Sequence, residues 1–272
     1  MKRNTLKEIQ ERLKDKKSIH FGVHQPGYHR YYGYFNTMLI SDVMISFDIA
    51  QYVEREWQNR QRFYVDNKWK WLSVPVNNGR EMICKKLIVN PGKLSDHWEF
   101  IKYIYRNTPY FKKYGKYLGD IYNKNWEYLN DLNEELALLA KDILGIKCLY
   151  IRASDYHIPL PPILKKGELI TDCITRLVKP SPERKLYYPK TIYDSASHYW
   201  DKKFDGSKLT EREKLETNGI EMKMFTYSQP IYKQYQLSEG HEFVPYLSIY
   251  DLIFNYGENG LEILEKYKGK YI

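Results

Sequence analysis

The chain has 272 residues, a formal charge of +9 from 43 Lys and Arg against 34 Asp and Glu, and is 43% hydrophobic and 16% aromatic. That apolar content can build a substantial core and excludes a disordered chain. No apolar run approaches the roughly 18 residues of a membrane-spanning helix, and the charged start MKRNTLKEIQERLKDKK is not a secretory signal. Cys84, Cys148 and Cys173 are scattered and lack metal-ligand spacing, so a reduced, cytoplasmic protein without a disulfide framework is expected. The basic field favours anionic partners such as nucleotides, nucleotide-sugars, tRNA or an anionic membrane surface, although the charge is spread rather than blocked. The 27 tyrosines suit sugar stacking and wet interfaces, and AT-rich coding produces the same excess.

In chain order, an amphipathic helix with Leu6, Ile9 and Leu13 on one side comes first. Buried strands over Ile19–His24 and Val43–Phe47, with a short helix over Tyr34–Ile40 between them, predict a parallel βαβ start. Arg62–Asp66 and Trp69–Val76 alternate around Asp66, Asn67 and Lys68, the pattern of an antiparallel hairpin, with Pro75 at its end or edge. Asn77, Asn78 and Gly79 turn the chain into a third strand over Cys84–Val89. Ser95 caps a helix carrying Trp98, Ile101 and Tyr105, which Asn107-Thr108-Pro109 breaks. Asn123 or Asn125 opens the longest helix, whose stripe Trp126, Leu129, Leu132, Leu136, Leu139 and Ile143 reads as core, with Gly145 at its C-cap. Ile146–Arg152 is a buried strand, 155–167 a proline-rich linker or active-site flap, Glu168–Leu177 a short helix and 178–190 a loop. Asn218-Gly219 precedes a strand over Ile220–Phe225. An apolar helix over Tyr246–Asn255 ends at Gly257, and Leu261–Tyr267 is a further helix.

Polar side chains cluster just past the first two strand ends: His24, Gln25, Asp48, Gln51, Asn59 and Arg60. Open α/β sheets bind ligands at the carboxyl ends of their strands. Pro26 disfavours helical angles at Gln25, so the strand ends there and leaves His24 placed as a general base or phosphate contact. The competing reading is a histidine that bonds a loop carbonyl. Asp48 could hold a metal, a ribose hydroxyl or an amine, or act as a base; otherwise it caps the loop or pairs with Arg55 or Arg60. Arg60 could clamp a diphosphate and Asn59 a sugar hydroxyl, against a reading of both as hairpin-entry residues. Tyr28 and Gln51 complete the candidate binding surface. Tyr193-Asp194-Ser195-Ala196-Ser197-His198 places Ser195 beside His198 in a turn-like stretch, a weak nucleophile signature that adds both to the binding candidates. Asp251, in an apolar helix, requires a buried partner: an Arg or Lys, or a site. Cys84 and Cys148 read as core. There is no zinc pattern, P-loop, dinucleotide fingerprint or paired-aspartate metal motif. His24 and His29, separated by four residues, also miss the two-histidine signature of HIGH nucleotidyltransferases.

In order along the chain, His24–Phe35 (HQPGYHRYYGYF), Asp42–Asp48 with Gln51, Trp57 with Asn59 and Arg60, Trp71–Val76 (WLSVPV), Pro109-Tyr110-Phe111, Gln229–Gln234 (QPIYKQ) and Leu247–Gly257 (LSIYDLIFNYG) resemble the blocks of the WbqC-like family of bacterial polysaccharide-gene proteins. Four positions depart from that pattern. Arg30 stands for a proline, Ile49 for the second aspartate of a pair, Gln229 for a histidine, and Asp194–Trp200 lacks the family's glycines. The expected fold is α/β: a mostly parallel sheet with helices on its faces, an antiparallel hairpin near residues 62–76 and a helical C-terminal part. One domain is expected over 1–272, any subdivision falling near 155. The resemblance implies acyl or aminoacyl transfer to the amine of a nucleotide-linked amino sugar during surface-polysaccharide assembly. His24 would then be base or acid, Asp48 would orient the amine or hold the ammonium, and Gln25, Asn59 and Arg60 would hold donor or acceptor. The donor is open, with ATP or a charged tRNA among its sources, and the oligomeric state is not readable. Competing readings are an ATP-using nucleotidyl- or adenylate-forming enzyme and a glycan- or RNA-binding protein without catalysis.

Overall fold

The computed structural model describes residues 3–16, 18–156, 190–194, 209–217 and 219–271. Its sheet contains β1 (Ile19–His24), β2 (Val43–Ser46), β5 (Leu149–Arg152), β6 (Lys190–Asp194) and β7 (Ile220–Thr226), with β8 (Lys270–Tyr271) at one edge. The spatial order is β5-β2-β1-β6-β7-β8. The first five strands are mutually parallel, and β8 runs antiparallel to β7. The parallel strands therefore lie third, second, first, fourth, fifth in chain order, and the order reverses between β1 and β6. At such a reversal the crevice outside the carboxyl ends is the ligand site of doubly wound sheets.

Alternation along the strands divides the core in two. Phe21, Val23, Val43, Ile45, Leu149 and Ile151 pack with Ile9 and Leu13 of α1 (Leu6–Leu13) and Leu215 of α6 (Glu211–Glu216). Met44 and Tyr150 face the larger core. That core is shared with α2 (Tyr32–Leu39), α3 (Lys93–Tyr105), α4 (Phe111–Tyr122), α5 (Leu129–Ile143), α7 (Ile249–Tyr256) and α8 (Gly260–Lys266). The hairpin forms as the sequence predicts, from β3 (Arg60–Val65) and β4 (Lys68–Ser73). Its two turn residues, Asp66 and Asn67, both have positive φ (50° and 57°), the mirror-image turn whose twist matches a hairpin.

Several elements differ from the sequence expectation. Cys84–Val89 is not a strand but a short 3-10 turn at Ile83–Lys85 with isolated bridges. Its polar groups are satisfied outside any ladder: Ile83 and Cys84 donate to the Ala50 and Asp48 carbonyls, and buried Lys86 bonds Gly79 and Glu81. The helix at Ser95 begins earlier, at Lys93, and resumes as α4 after the predicted break. The longest helix starts only at Leu129, because residues 127–129 bridge to Lys86 and Ile88 first. Lys190–Asp194, expected as the end of a loop and the start of a turn, is an interior strand between β1 and β7. The rest of 157–189, including the expected helix at Glu168–Leu177, lies outside the described residues.

The two C-terminal motifs explain each other. Tyr232 and Gln234 donate to the buried Asp251 carboxylate at 2.7 and 2.9 Å, and Gln236 donates as well. The Tyr235 amide bonds the Asn255 side chain. QPIYKQ is thus a strap hydrogen-bonded along α7. Asp251 is held by neutral donors rather than by Arg or Lys, and burial raises its pKa.

A second buried network supports the segment after β1. The Tyr28 hydroxyl lies 2.8 Å from His97 Nδ1 and 2.5 Å from the Tyr122 hydroxyl, which is 2.6 Å from His29 Nε2. His29 Nδ1 lies 3.1 Å from Ser248 Oγ. Burial lowers the pKa of His29 to about 3 and of His97 to about 4, so both are neutral at pH 7. The unfolded chain takes up those protons near pH 6.5, so this stability is present above 6.5 and is lost as pH falls toward 4. Between pH 6.5 and 4 the wild type is predicted to lose about 2–3 kcal/mol more unfolding free energy than His97→Gln. Urea titrations of both proteins across that range measure it, and parallel pH profiles would refute the assignment.

Candidate functional site

The carboxyl edge of the sheet carries an aligned polar row. His24 pairs in register with Ser46, and Ser46 with Arg152. Two residues earlier on the neighbouring strands Met44 pairs with Tyr150, so the row shares their face, beneath α2 and α5. His24 and Arg152 are thus two strand spacings apart, roughly 10 Å.

At the β1 end of the row, Arg30 Nη2 lies 2.8 Å from His24 Nδ1 and 2.9 Å from Nε2. His24 Nδ1 is also 3.0 Å from the Gln25 carbonyl. A ring protonated on Nδ1 donates to Gln25 and leaves Nε2 to accept from Arg30. Arg30 is only 7% exposed. Its guanidinium lies 5.4 Å from the Tyr34 ring centroid and 5.9 Å from that of Tyr31, and Tyr34 meets His24 edge-on at 5.3 Å. Arg30 Nε has no hydrogen-bond partner, and no carboxylate among the described residues forms an ion pair with Arg30. Burial lowers its pKa, although nearby tyrosines and Glu56 favour the charge. A guanidinium held this way is an anion site in waiting, because desolvating a lone charge costs several kcal/mol.

The loop that presents Arg30 is tied on three sides. The Tyr28 amide donates to Trp57 O at 3.1 Å, Gln61 Nε2 to His29 O at 2.8 Å, and the Ile249 amide to Arg30 O at 3.0 Å. A Cβ on Gly27 would lie 2.5 Å from Trp57 O, so only glycine allows this approach. Gln58 Nε2 holds the Gln25 side chain at 2.9 Å.

At the β2–β5 end, Asp48 is fully buried. It accepts from Asn130 Nδ2 at 2.9 Å, Ser154 N at 2.9 Å and Ser154 Oγ at 2.6 Å. Burial raises its pKa against these donors and Arg152. Arg152 Nε lies 2.7 Å from Glu134 Oε2, and its Nη2 pairs with both Glu134 and Asp131 at 2.6 Å. Burial also raises the pKa of Glu134. His24 and Asp48 therefore share one edge of the sheet but bond different partners.

The remaining sequence candidates are more dispersed. Tyr28 is buried, its hydroxyl committed to His97 and Tyr122. Asn59 donates to Val74 O at 2.9 Å and fastens the hairpin base. Arg60 stacks on exposed Trp71 at 4.3 Å and bonds the Arg55 carbonyl. Gln51 is exposed beside Met82. Ser195, His198 and Cys173 lie outside the described residues. Burial raises the pKa of Cys84 to about 11 and that of Cys148 further, so neither thiol is activated. Sequence reasoning passed over Arg152, Ser154, Asn130, Asn133 and Glu134. The last three sit at i, i+3 and i+4 on α5, a polar stripe beside the apolar one, and that spacing was the available signal.

A cleft of about 490 Å³ opens at the opposite, amino edge of the sheet, lined by Arg12, Lys16, Met38, Asp42 and Leu149 among others. The carboxyl edge remains the better site, because that is where doubly wound sheets bind ligands and where buried polar atoms stand without partners. Among the described residues no three His, Cys, Asp or Glu side chains are placed to hold a metal ion, and no helix is long and apolar enough to cross a membrane.

If Arg30 awaits an anion, Arg30→Met is predicted to leave the ligand-free protein at least as stable as wild type, by about 1 kcal/mol or more. A loss near 3 kcal/mol in urea unfolding would instead make the guanidinium a structural ion.

Comparison with known proteins places this geometry in context. Over 251 residues the chain is 26% identical to the "Uncharacterized protein Rv1507c" of Mycobacterium tuberculosis (strain ATCC 25618 / H37Rv), covering 88% of this chain and 95% of that one. No solved structure matches it. A family scan matches residues 25–263, a span that begins just after His24 and includes Arg30 and the segments that hold its backbone. The chain belongs to the WbqC-like protein family.

Proposed function

We propose that this protein is a transferase that joins an acyl or aminoacyl group to the amine of a nucleotide-linked amino sugar, in the assembly of bacterial surface polysaccharide. The observation that carries the proposal is the buried guanidinium of Arg30, unpaired with any described carboxylate and held against His24 just past the first strand of a doubly wound sheet. A diphosphate supplies the anion this position lacks, and Arg recognises phosphate oxygens through its fork of donors. His24, within reach of the same ligand, serves as the proton acceptor. The amine nitrogen attacks the carbonyl carbon of a thioester or ester donor, and a C–N bond forms as the bond to the leaving group breaks. The amine proton passes to His24 and from there to the departing sulfur or oxygen. Asp48 orients Asn130, and Gln25, braced by Gln58, faces the sugar end. Asn59 and Arg60 act at the rim.

A second reading rests on the strand order itself. Doubly wound sheets hold nucleotides at this reversal, which is equally the place for ATP in a nucleotidyl- or adenylate-forming enzyme.

Calorimetry with a panel of UDP- and dTDP-linked amino sugars and with ATP separates the two. The transferase reading predicts nucleotide-sugar binding that weakens at least ten-fold in Arg30→Met, as expected when charge-assisted hydrogen bonds of about 1.5–3 kcal/mol are removed. Binding of ATP with no response to any nucleotide-sugar would replace it with the second. His24→Ala is predicted to lower acyl-transfer turnover by roughly 10²–10⁴-fold with little change in nucleotide-sugar affinity. Unaltered turnover would remove His24 from the chemistry.

A further inference from the structure

Three acceptor oxygens on the first turns of α5 have no hydrogen-bond partner: Asn130 Oδ1, Asn133 Oδ1 and Glu134 Oε1. Their residues are 1%, 1% and 3% exposed, and a buried polar atom left unpaired costs about 1–3 kcal/mol. In each residue the other polar atom is fixed. Asn130 Nδ2 donates to Asp48 and Asn133 Nδ2 to the Gln58 carbonyl at 2.8 Å, while Glu134 Oε2 takes Arg152. The two amides cannot turn over, because their carbonyl oxygens would then face acceptors. The three orphans are therefore acceptors, and they call for a ligand that brings only donors.

The surrounding charge selects among such ligands. Asp48, Asp131, Glu134 and Asp155 stand against Arg3 and Arg152, an excess of negative charge in a protein that is basic overall. Asp131 and Asp155 are 42% and 48% exposed at their side chains, so this end of the row reaches solvent. Asp48 is occupied by three donors, whereas Glu134 keeps a free oxygen.

We infer that Asn130, Asn133 and Glu134 form a subsite for a primary ammonium group, with Glu134 Oε1 as its ionic partner. An ammonium offers three donors and no acceptor, which suits acceptors placed at i, i+3 and i+4 on one face of α5. The subsite lies between the two ends of the row: Glu134 pairs with Arg152, and Asn133 bonds the Gln58 carbonyl, whose side chain holds Gln25 beside His24. This deepens the transferase reading and rests on it for the identity of the amine: the anionic end of the acceptor meets Arg30 and its amine meets α5. Glu134, whose pKa burial raises, is also suited to take the proton that the ammonium must lose before it attacks.

The test is calorimetry on the full chain with three probes: a UDP-linked amino sugar, its hydroxyl counterpart and UDP alone. Wild type is expected to bind the amine at least ten-fold more tightly than the hydroxyl form. Glu134→Gln is expected to bring the two together while UDP affinity stays constant. Asn133→Ala carries the same comparison if Glu134→Gln fails to fold. Equal binding of amine and hydroxyl by wild type, or discrimination that survives both substitutions, overturns the subsite. If no nucleotide-sugar binds, the transferase reading fails first, and millimolar glucosamine against glucose in thermal unfolding decides the subsite alone. A shift with glucosamine only, lost in the variants, sustains it; equal shifts or none refute it.

Discussion

A guanidinium buried beside a histidine, with no carboxylate among the described residues in ion-pair contact, is the constraint around which this molecule is arranged. Arg30 could not be kept dry and charged by a loose loop. Trp57, Gln61 and Ile249 hold its backbone, Gly27 lets the chain pass beneath the Trp57 carbonyl, and a layer of neutral histidines and tyrosines supports it from below. These contacts are scattered along the sequence and meet at one place. They build one cradle.

The parallel sheet supplies the second ingredient, a fixed distance. Because His24, Ser46 and Arg152 are in register, the residues that contact Arg30 at one end and Glu134 at the other are spaced by the strands. A positive pole and a negative pole held apart on a rigid frame suit a ligand with the opposite arrangement, an anion and an amine on one small molecule. The exposed hairpin, where Arg60 and Arg62 lie over Trp71 and Trp69, borders the positive pole and extends the basic surface outward.

Much of the frame was legible in the sequence. Ile19–His24 and Val43–Phe47 declare themselves as buried strands, the Asp66-Asn67 hairpin follows from turn chemistry, and Gly145 and Gly257 end their helices with positive φ as glycine allows. Lys190–Asp194 was not legible, because a strand flanked by partners on both sides is specified by pairing and not by its own composition. The reverse error, a strand read into Cys84–Val89, arose because apolar residues there are buried by a turn rather than by a ladder. The site divides the same way. His24 and Asp48 stand out as polar residues after apolar runs. Arg30 drew notice only as a departure from a proline. Asn130, Asn133 and Glu134 were hidden inside a helix whose leucine stripe dominates its periodicity, and their role depends on atoms left without partners, which only the folded chain reveals.

A ligand is expected to lie along the carboxyl edge with its charges matched to the two poles. The most direct measurement is a crystal structure of the protein with a UDP-linked amino sugar. It should show the diphosphate on Arg30 beside His24 and the amine within hydrogen-bond reach of Glu134 Oε1. A ligand seated instead in the cleft at the amino edge, between α1 and the start of β5, would contradict it.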